Sequence, residues 1–276
     1  MDSSAKDLTR QILVISAACF MIIAALVGTG ALGGTPVQDL QDGALAADAT
    51  YLAPATSAFS IWSAVYVGLL VYTVWQALPS QRANERQRAL GGLIAITMVL
   101  NGIWLVLAQL TTLILTVIGI FVLLIALALT LRKAVVVSPS QGWIDRILID
   151  GVTGLHLGWV TLASVANLTA WLTQIGPAEW ENAAEVLGVT VLVAVAAIGV
   201  TLSWATARLA PALALTWGLS WLAVARLTDQ PRSDVIGYAA AAVAAVILVA
   251  GIVFTVRGLR AGVTQNRSAA QTPATA

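Results

Sequence analysis

The stretch TTLILTVIGIFVLLIALALTL, residues 111–131, decides the class of fold. It carries no charged residue over 21 positions, and a helix needs about 20 mostly apolar residues to cross a bilayer. Similar windows fall at about 11–32, 57–78, 90–109, 152–174, 183–203, 210–226 and 235–256. The sequence therefore predicts an all-α polytopic membrane protein with eight transmembrane helices.

The composition of the whole chain agrees with this class. Apolar residues make up 59% of the 276 residues, charged residues only 10%, and the mean hydropathy is +0.90. A soluble domain carries roughly 25% charged residues because its surface must be solvated. One cysteine and one histidine exclude an intrachain disulfide, a multi-cysteine metal site and a histidine cluster.

The positions of the basic residues predict the orientation. With the N-terminus in the cytoplasm, the outer loops contain only Arg226 and Arg232, and the cytoplasmic segments contain all the others: Lys6, Arg10, Arg82, Arg86, Arg88, Arg132, Lys133, Arg146, Arg208, Arg257, Arg260 and Arg267. Cytoplasmic loops are enriched in Lys and Arg. We therefore expect both termini in the cytoplasm and a location in a bacterial plasma membrane. Residues 261–276, which follow the last predicted span, are expected to form a disordered tail.

Charged side chains are absent from the interior of every predicted span. Ion-coupled transporters and proton pumps usually place ionisable groups there. No phosphate loop, zinc motif or serine triad is present either, so we expect no enzymatic activity and no bound metal. Any function must then use neutral polar and aromatic groups.

Polar and aromatic residues form one stripe on each of three predicted helices, at helical spacing. The stripes are Ala58, Trp62, Tyr66 and Thr73 on the second, Thr97, Asn101, Trp104 and Ala108 on the third, and His156, Trp159, Ala163, Asn167 and Trp171 on the fifth. Apolar walls with a few convergent polar groups predict a small-molecule site. The alternative is that the tryptophans lie at membrane interfaces and the asparagines only bond between helices.

The same stripes carry a resemblance to a known family. Residues 159–171, WVTLASVANLTAW, resemble the fifth-helix signature of the TspO/MBR family, the tryptophan-rich sensory and translocator proteins. The segment LNGIW at 100–104 is similar to its third-helix motif, and WSAVY at 62–66 to its second-helix motif. The resemblance covers about residues 10–174. His156 stands where the family tends to have Tyr, and the segment before the second helix lacks the family's tryptophans.

The resemblance implies a five-helix bundle at 1–174, usually dimeric, that binds porphyrins. It implies a pocket lined by Trp62, Tyr66, Asn101, Trp104, Trp159, Ala163 and Asn167; the stripes add His156 and Trp171. Three further helices would occupy 175–260, outside the resemblance. The expected partners are a tetrapyrrole or lipid-like small molecule, membrane lipid and a second copy of the chain, without nucleic acid.

Two hypotheses of function follow. The first is a membrane receptor or carrier that binds a hydrophobic planar ligand of the tetrapyrrole class, porphyrin or haem, in a pocket open toward the outer face, with no cofactor required. The second is an uncoupled transporter or permease subunit for a small solute. Three roles remain open for His156: axial ligand of a haem iron, hydrogen-bond partner of the ligand, or structural residue.

Overall fold

The apolar runs form helices throughout the computed structural model, which describes residues 3–136, 140 and 142–271, the last ten by their backbone alone. The main helices are α1 (Ser3–Gly28), α2 (Ile61–Ala77), α3 (Glu85–Leu110), α4 (Leu113–Val136), α5 (Val152–Ile175), α6 (Ala184–Thr206), α7 (Leu209–Thr228) and α8 (Asp234–Gln271). Within this part of the chain, eight helices are long and apolar enough to cross a membrane. The predicted number of spans and the all-α class are confirmed.

Local signals set several helix ends. The Asn84 side chain accepts hydrogen bonds from the backbone N–H groups of Arg86 and Gln87 and so caps α3. Ser233 accepts from the backbone N–H of Ile236 in the first turn of α8. Ala207 ends α6 in a left-handed conformation, with φ of 48°. These caps satisfy backbone groups that the helices themselves cannot pair.

Two helices have an end that differs from the sequence prediction. A turn at Trp143–Asp145 and a π-helical segment at Arg146–Gly151 precede α5, so the fifth span begins at Trp143 rather than at 152. Asp145 and Asp150 can lie within this span because both carboxylates pair with Arg86. Helix α8 continues to Gln271, into the segment 261–276 predicted to be disordered. Residues 272–276, and the side chain of Arg267, lie outside the described residues.

The first five helices form a closed ring. Helix α1 packs on α3, α3 on α4 and α4 on α5, and α2 lies between α5 and α1. The last three helices form a second unit, in which α8 packs on both α7 and α6. Its core includes Leu215, Leu219 and Ile247, together with Leu162 from α5 and Leu52 from the α1–α2 connection. The two units therefore share apolar core rather than merely touching.

Helix α7 attaches the second unit to the ring by packing on α5. Gly154 and Gly158 of α5 lie against Pro211, and Gly218 of α7 lies against Leu162. A Cβ atom at Gly158 or Gly218 would overlap the facing helix. Small residues let two membrane helices approach this closely, so the glycines fix where α7 sits on α5.

The bundle has two ends, one with the chain termini and one with the long α1–α2 connection. The termini end carries the N-terminal part of α1, where Arg10 donates to the Gln76 side chain near the end of α2. The loop end carries the long α1–α2 connection, residues 29–60, which contains short 3₁₀ turns at Val37–Asp39, Gln41–Gly43 and Thr56–Ser60.

Candidate ligand pocket

Trp62 of α2 lies at the centre of an aromatic cluster near the loop end. Its ring stacks on Tyr66, with centroids 5.2 Å apart, and on Trp104 of α3 at 6.5 Å. It meets the rings of His156 and Trp159 of α5 edge to face, at 5.7 Å and 6.2 Å. Offset and edge-to-face pairs are the favoured aromatic geometries. The three predicted stripes therefore converge on one ring.

A polar network lies beneath this cluster. The Tyr66 hydroxyl donates to Asn101 Oδ1 over 3.2 Å, and Asn101 Nδ2 lies 3.2 Å from His156 Nε2. In this orientation of the Asn101 amide, Nδ2 donates to His156 Nε2, and His156 Nδ1 has no hydrogen-bond partner within the described residues. Asn101 and His156 are fully buried. The network links α2, α3 and α5 and holds the Trp62 ring from below.

A small cavity lies on the loop side of the cluster. It is lined by Val37, Ala44, Leu45, Ala46, Thr50, Ala53, Pro54, Phe59, Trp62, Trp104, Trp159, Leu162, Ala163, Ala166 and Asn167. None of these side chains is charged. The cavity volume is about 40 Å³, whereas one water needs at least about 10–15 Å³. The cavity, which the surrounding residues only partly enclose, therefore has room for a few water-sized groups.

Four buried polar atoms on lining residues have no hydrogen-bond partner within the described residues: Thr50 Oγ1, Trp104 Nε1, Trp159 Nε1 and Asn167 Oδ1. Asn167 Nδ2 donates to the Ala163 carbonyl over 2.9 Å, so Oδ1 is the free end of the carboxamide. Buried polar groups in native proteins are nearly always paired. The lining residues thus carry two N–H donors, one carbonyl acceptor and one hydroxyl that the described part of the protein does not pair.

The nine predicted site residues fall into three groups. Trp62, Trp104, Trp159, Ala163 and Asn167 line the cavity. Tyr66, Asn101 and His156 form the network beneath it instead. Trp171 is half-buried on α5 and is not among the lining residues.

The sequence reasoning missed the other side of the cavity. Phe59 packs edge to face on Trp159, with centroids 5.6 Å apart, and supplies the aromatic contact that the connection was expected to lack. Residues 44–54, called the roof from here on, close the cavity from the loop end. The signal for Phe59 was available, since it lies three residues before Trp62 and hence one helical turn away.

A cluster of buried charges at the termini end was also missed. Arg86 of α3 bonds both Asp145 and Asp150, and Arg208, just before α7, bonds Asp150 over 2.8 Å. Arg86, Asp145 and Asp150 are at most 5% exposed. The cavity lining is neutral, as described above, but charged residues do lie buried within the helical spans. In the described ranges, no three His, Cys, Asp or Glu side chains are placed to hold a metal ion.

Comparison with known proteins identifies the family. A family model described as TSPO-like protein matches residues 10–254. No curated protein and no solved structure matches the chain. The match extends over the last three helices as well as the first five, beyond the residues 10–174 whose motifs carry the resemblance. With eight apolar helices, the chain is an integral membrane protein, and it belongs to the TSPO-like protein family.

Proposed function

We propose that this protein binds a hydrophobic planar ligand of the tetrapyrrole class between α2, α3, α5 and the roof, as a receptor or carrier. The observation that carries the proposal is the set of unpaired polar atoms on residues of an otherwise apolar wall: Thr50 Oγ1, Trp104 Nε1, Trp159 Nε1 and Asn167 Oδ1. A ligand that supplies their partners would remove the cost of leaving them unpaired, about 1–3 kcal/mol for each group.

The chemistry of a metal-free porphyrin suits this wall. Its flat apolar ring can stack on indole rings, as Trp62 and Trp104 already stack on each other. Its carboxylates accept hydrogen bonds and match the two indole N–H donors. The family membership supports a membrane ligand-binding or transport-type role of this general kind.

The cavity is smaller than such a ligand. Pockets for drug-sized molecules measure roughly 300–1,000 Å³, against about 40 Å³ here. Since α2, α3 and α5 are joined by the buried network below, the roof is the wall that must move. The proposal therefore includes displacement of residues 44–54 when the ligand binds.

The test is a titration of the detergent-purified protein with protoporphyrin IX, with tryptophan quenching and the Soret band as readouts. The Ala163→Leu variant adds bulk between Trp159 and Asn167 on the cavity wall. We expect saturable quenching in the wild type and a Kd at least about tenfold higher in this variant, or 1.4 kcal/mol. Ala241→Leu, on the exposed face of α8, is the matched control and should bind like the wild type.

A second variant examines the unpaired donors. Trp159→Phe keeps an aromatic ring and removes the N–H group, so affinity should fall about two- to tenfold, as expected for one hydrogen bond of 0.5–1.5 kcal/mol. Trp204→Phe, at an exposed position, is its control. Equal affinity of Ala163→Leu and the wild type would contradict this pocket. Flux of a small polar solute through liposomes without porphyrin binding would favour the uncoupled transporter instead.

A further inference from the structure

The roof is tied to the second helical unit rather than to the ring. Arg226 of α7 donates from Nη1 to the Thr50 carbonyl over 3.0 Å, and from Nη2 to the Ala47 carbonyl over 3.1 Å. Thr50 is a lining residue of the cavity, and Ala47 lies within the roof. One side chain of the C-terminal unit thus holds two points of the roof.

The burial of Arg226 makes these bonds unusual. The residue is fully buried, and its third acceptor is another backbone carbonyl, that of Pro231, at 2.9 Å. Across the described residues it forms no ion pair. Asp229 and Asp48, the latter in the roof, interact with it electrostatically without reaching ion-pair distance. A buried guanidinium is costly to desolvate, and its charge-assisted bonds to the three carbonyls offset part of that cost. Two of the three acceptors belong to the roof, so the roof satisfies most of this buried charge.

Helix α7 also holds the chain that follows the roof. The backbone N–H of Ala55 donates to the Trp221 carbonyl over 3.3 Å. Trp217 Nε1 donates to the Ala58 carbonyl over 3.0 Å. Together with the Arg226 bonds, these contacts fix the connection from Ala47 to Ala58 along one helix.

The preceding part of the connection is attached elsewhere. Gln41 Nε2 bonds the Thr111 carbonyl just after α3, and Gln109 of α3 bonds the Thr35 carbonyl. Between the two attachments, Gln41, Asp42 and Gly43 have φ of 56°, 56° and 80°. Positive φ is uncommon for residues other than glycine. The connection is therefore held by the ring on one side of this bend and by α7 on the other.

We propose that Arg226 is a positioning residue that holds the roof closed, so that the three C-terminal helices control access to the cavity. This inference rests on the proposed function in so far as the cavity takes a ligand. Release of the bonds to Ala47 and Thr50 frees the roof while the α5–α7 contact at Gly158 and Gly218 keeps α7 in place.

The test combines hydrogen exchange with porphyrin kinetics on the full chain. In Arg226→Gln, the amides of residues 44–54 should exchange at least tenfold faster, with exchange in α5 and α8 unchanged. Protoporphyrin IX should associate and dissociate about tenfold faster, with a much smaller change in Kd. Arg232→Gln replaces an exposed arginine in the connection just after α7; it is the matched control and should leave all rates unchanged.

The outcomes separate this inference from the proposed function. Unchanged exchange in residues 44–54, or faster exchange throughout α5 and α8, would overturn the positioning role of Arg226. Faster exchange confined to residues 44–54 would support it even if protoporphyrin IX did not bind, in which case the proposed function alone would fail.

If Arg226→Gln does not fold, a pair of cysteines that links the end of the roof to α7 tests the proposal instead. Ala55→Cys and Trp221→Cys, in a Cys19→Ser background, join two segments whose backbones are already hydrogen-bonded. Oxidation should slow both protoporphyrin IX exchange and amide exchange in residues 44–54 at least tenfold relative to the reduced form of the same protein. Equal rates in the two forms would overturn the proposal.

Discussion

The two ends of the bundle bury polar groups in opposite ways. At the termini end, Arg86 and Arg208 are paired with Asp145 and Asp150 in one cluster of balanced charge. At the loop end, neutral groups such as Trp159 Nε1 have no partner in the described chain. Groups that pair with each other stabilise the fold, whereas the unpaired groups beside the cavity are the ones that the proposed ligand would have to satisfy.

The difference predicts where substitutions damage the fold and where they damage binding. A charge removed from the cluster leaves its partners buried and uncompensated, which is among the most destabilising changes in a protein. A side chain altered at the cavity wall loses or gains only neutral contacts. We therefore expect stability to depend mainly on the termini end and ligand affinity mainly on the loop end.

The largest effect is expected from Arg86→Met. This substitution keeps an unbranched apolar stem but leaves Asp145 and Asp150 with Arg208 as the one remaining cation of the cluster. The free energy of unfolding should fall by about 3–5 kcal/mol, measured by denaturant unfolding in detergent.

Arg232→Met is the matched control for that experiment. Arg232 pairs with Asp234 at the surface, and both side chains are more than 60% exposed. Exposed pairs contribute about 0–1 kcal/mol, so this variant should unfold almost like the wild type. Equal losses in the two variants would mean that the buried cluster does not stabilise the fold.

A smaller effect, on binding, is expected from His156→Tyr. The imidazole is bonded to Asn101 and packed on Trp62, and it is not among the lining residues of the cavity. The larger tyrosine should displace Trp62 and weaken haem and protoporphyrin IX binding by a similar factor, up to about tenfold, or 1.4 kcal/mol. Soret titrations with both ligands measure this. Loss of the haem band with protoporphyrin IX binding retained would instead identify His156 as an axial ligand.

The helical half of the site could be predicted because periodicity fixes which residues share a face. Trp159, Ala163 and Asn167 line the cavity as their spacing requires. Trp171 fails for the same reason: steps of four residues advance by about 400°, so twelve residues turn it roughly 120° away from Trp159. The stripe on α5 therefore follows the cavity from Trp159 to Asn167 and leaves it before Trp171.

The remaining features depend on partners that are distant in sequence. The sequence pattern places Arg226 in an outer loop, because a charge at the edge of an apolar run normally ends a span. It lies instead in the last turn of α7 and is satisfied by the Thr50 carbonyl, 176 residues away. Asp150 was placed outside the fifth span for a similar reason, and its partner Arg86 is 64 residues away. No local pattern shows such pairings, and the roof has no periodicity that would predict where it folds.

The smallest effect on the protein is expected from single exposed cysteines, whose labelling shows which end of the bundle lies on which side of the membrane. In a Cys19→Ser background, single cysteines replace Asp42 and Glu181 at the loop end and Lys133 at the termini end, all of them at exposed positions. Since the basic residues cluster at the termini end, the positive-inside rule places that end in the cytoplasm. A membrane-impermeant maleimide applied to intact cells should therefore label the cysteines at 42 and 181 and leave the one at 133 unlabelled until the membrane is permeabilised. Labelling of position 133 alone would reverse the orientation, and the cavity and its roof would then face the cytoplasm.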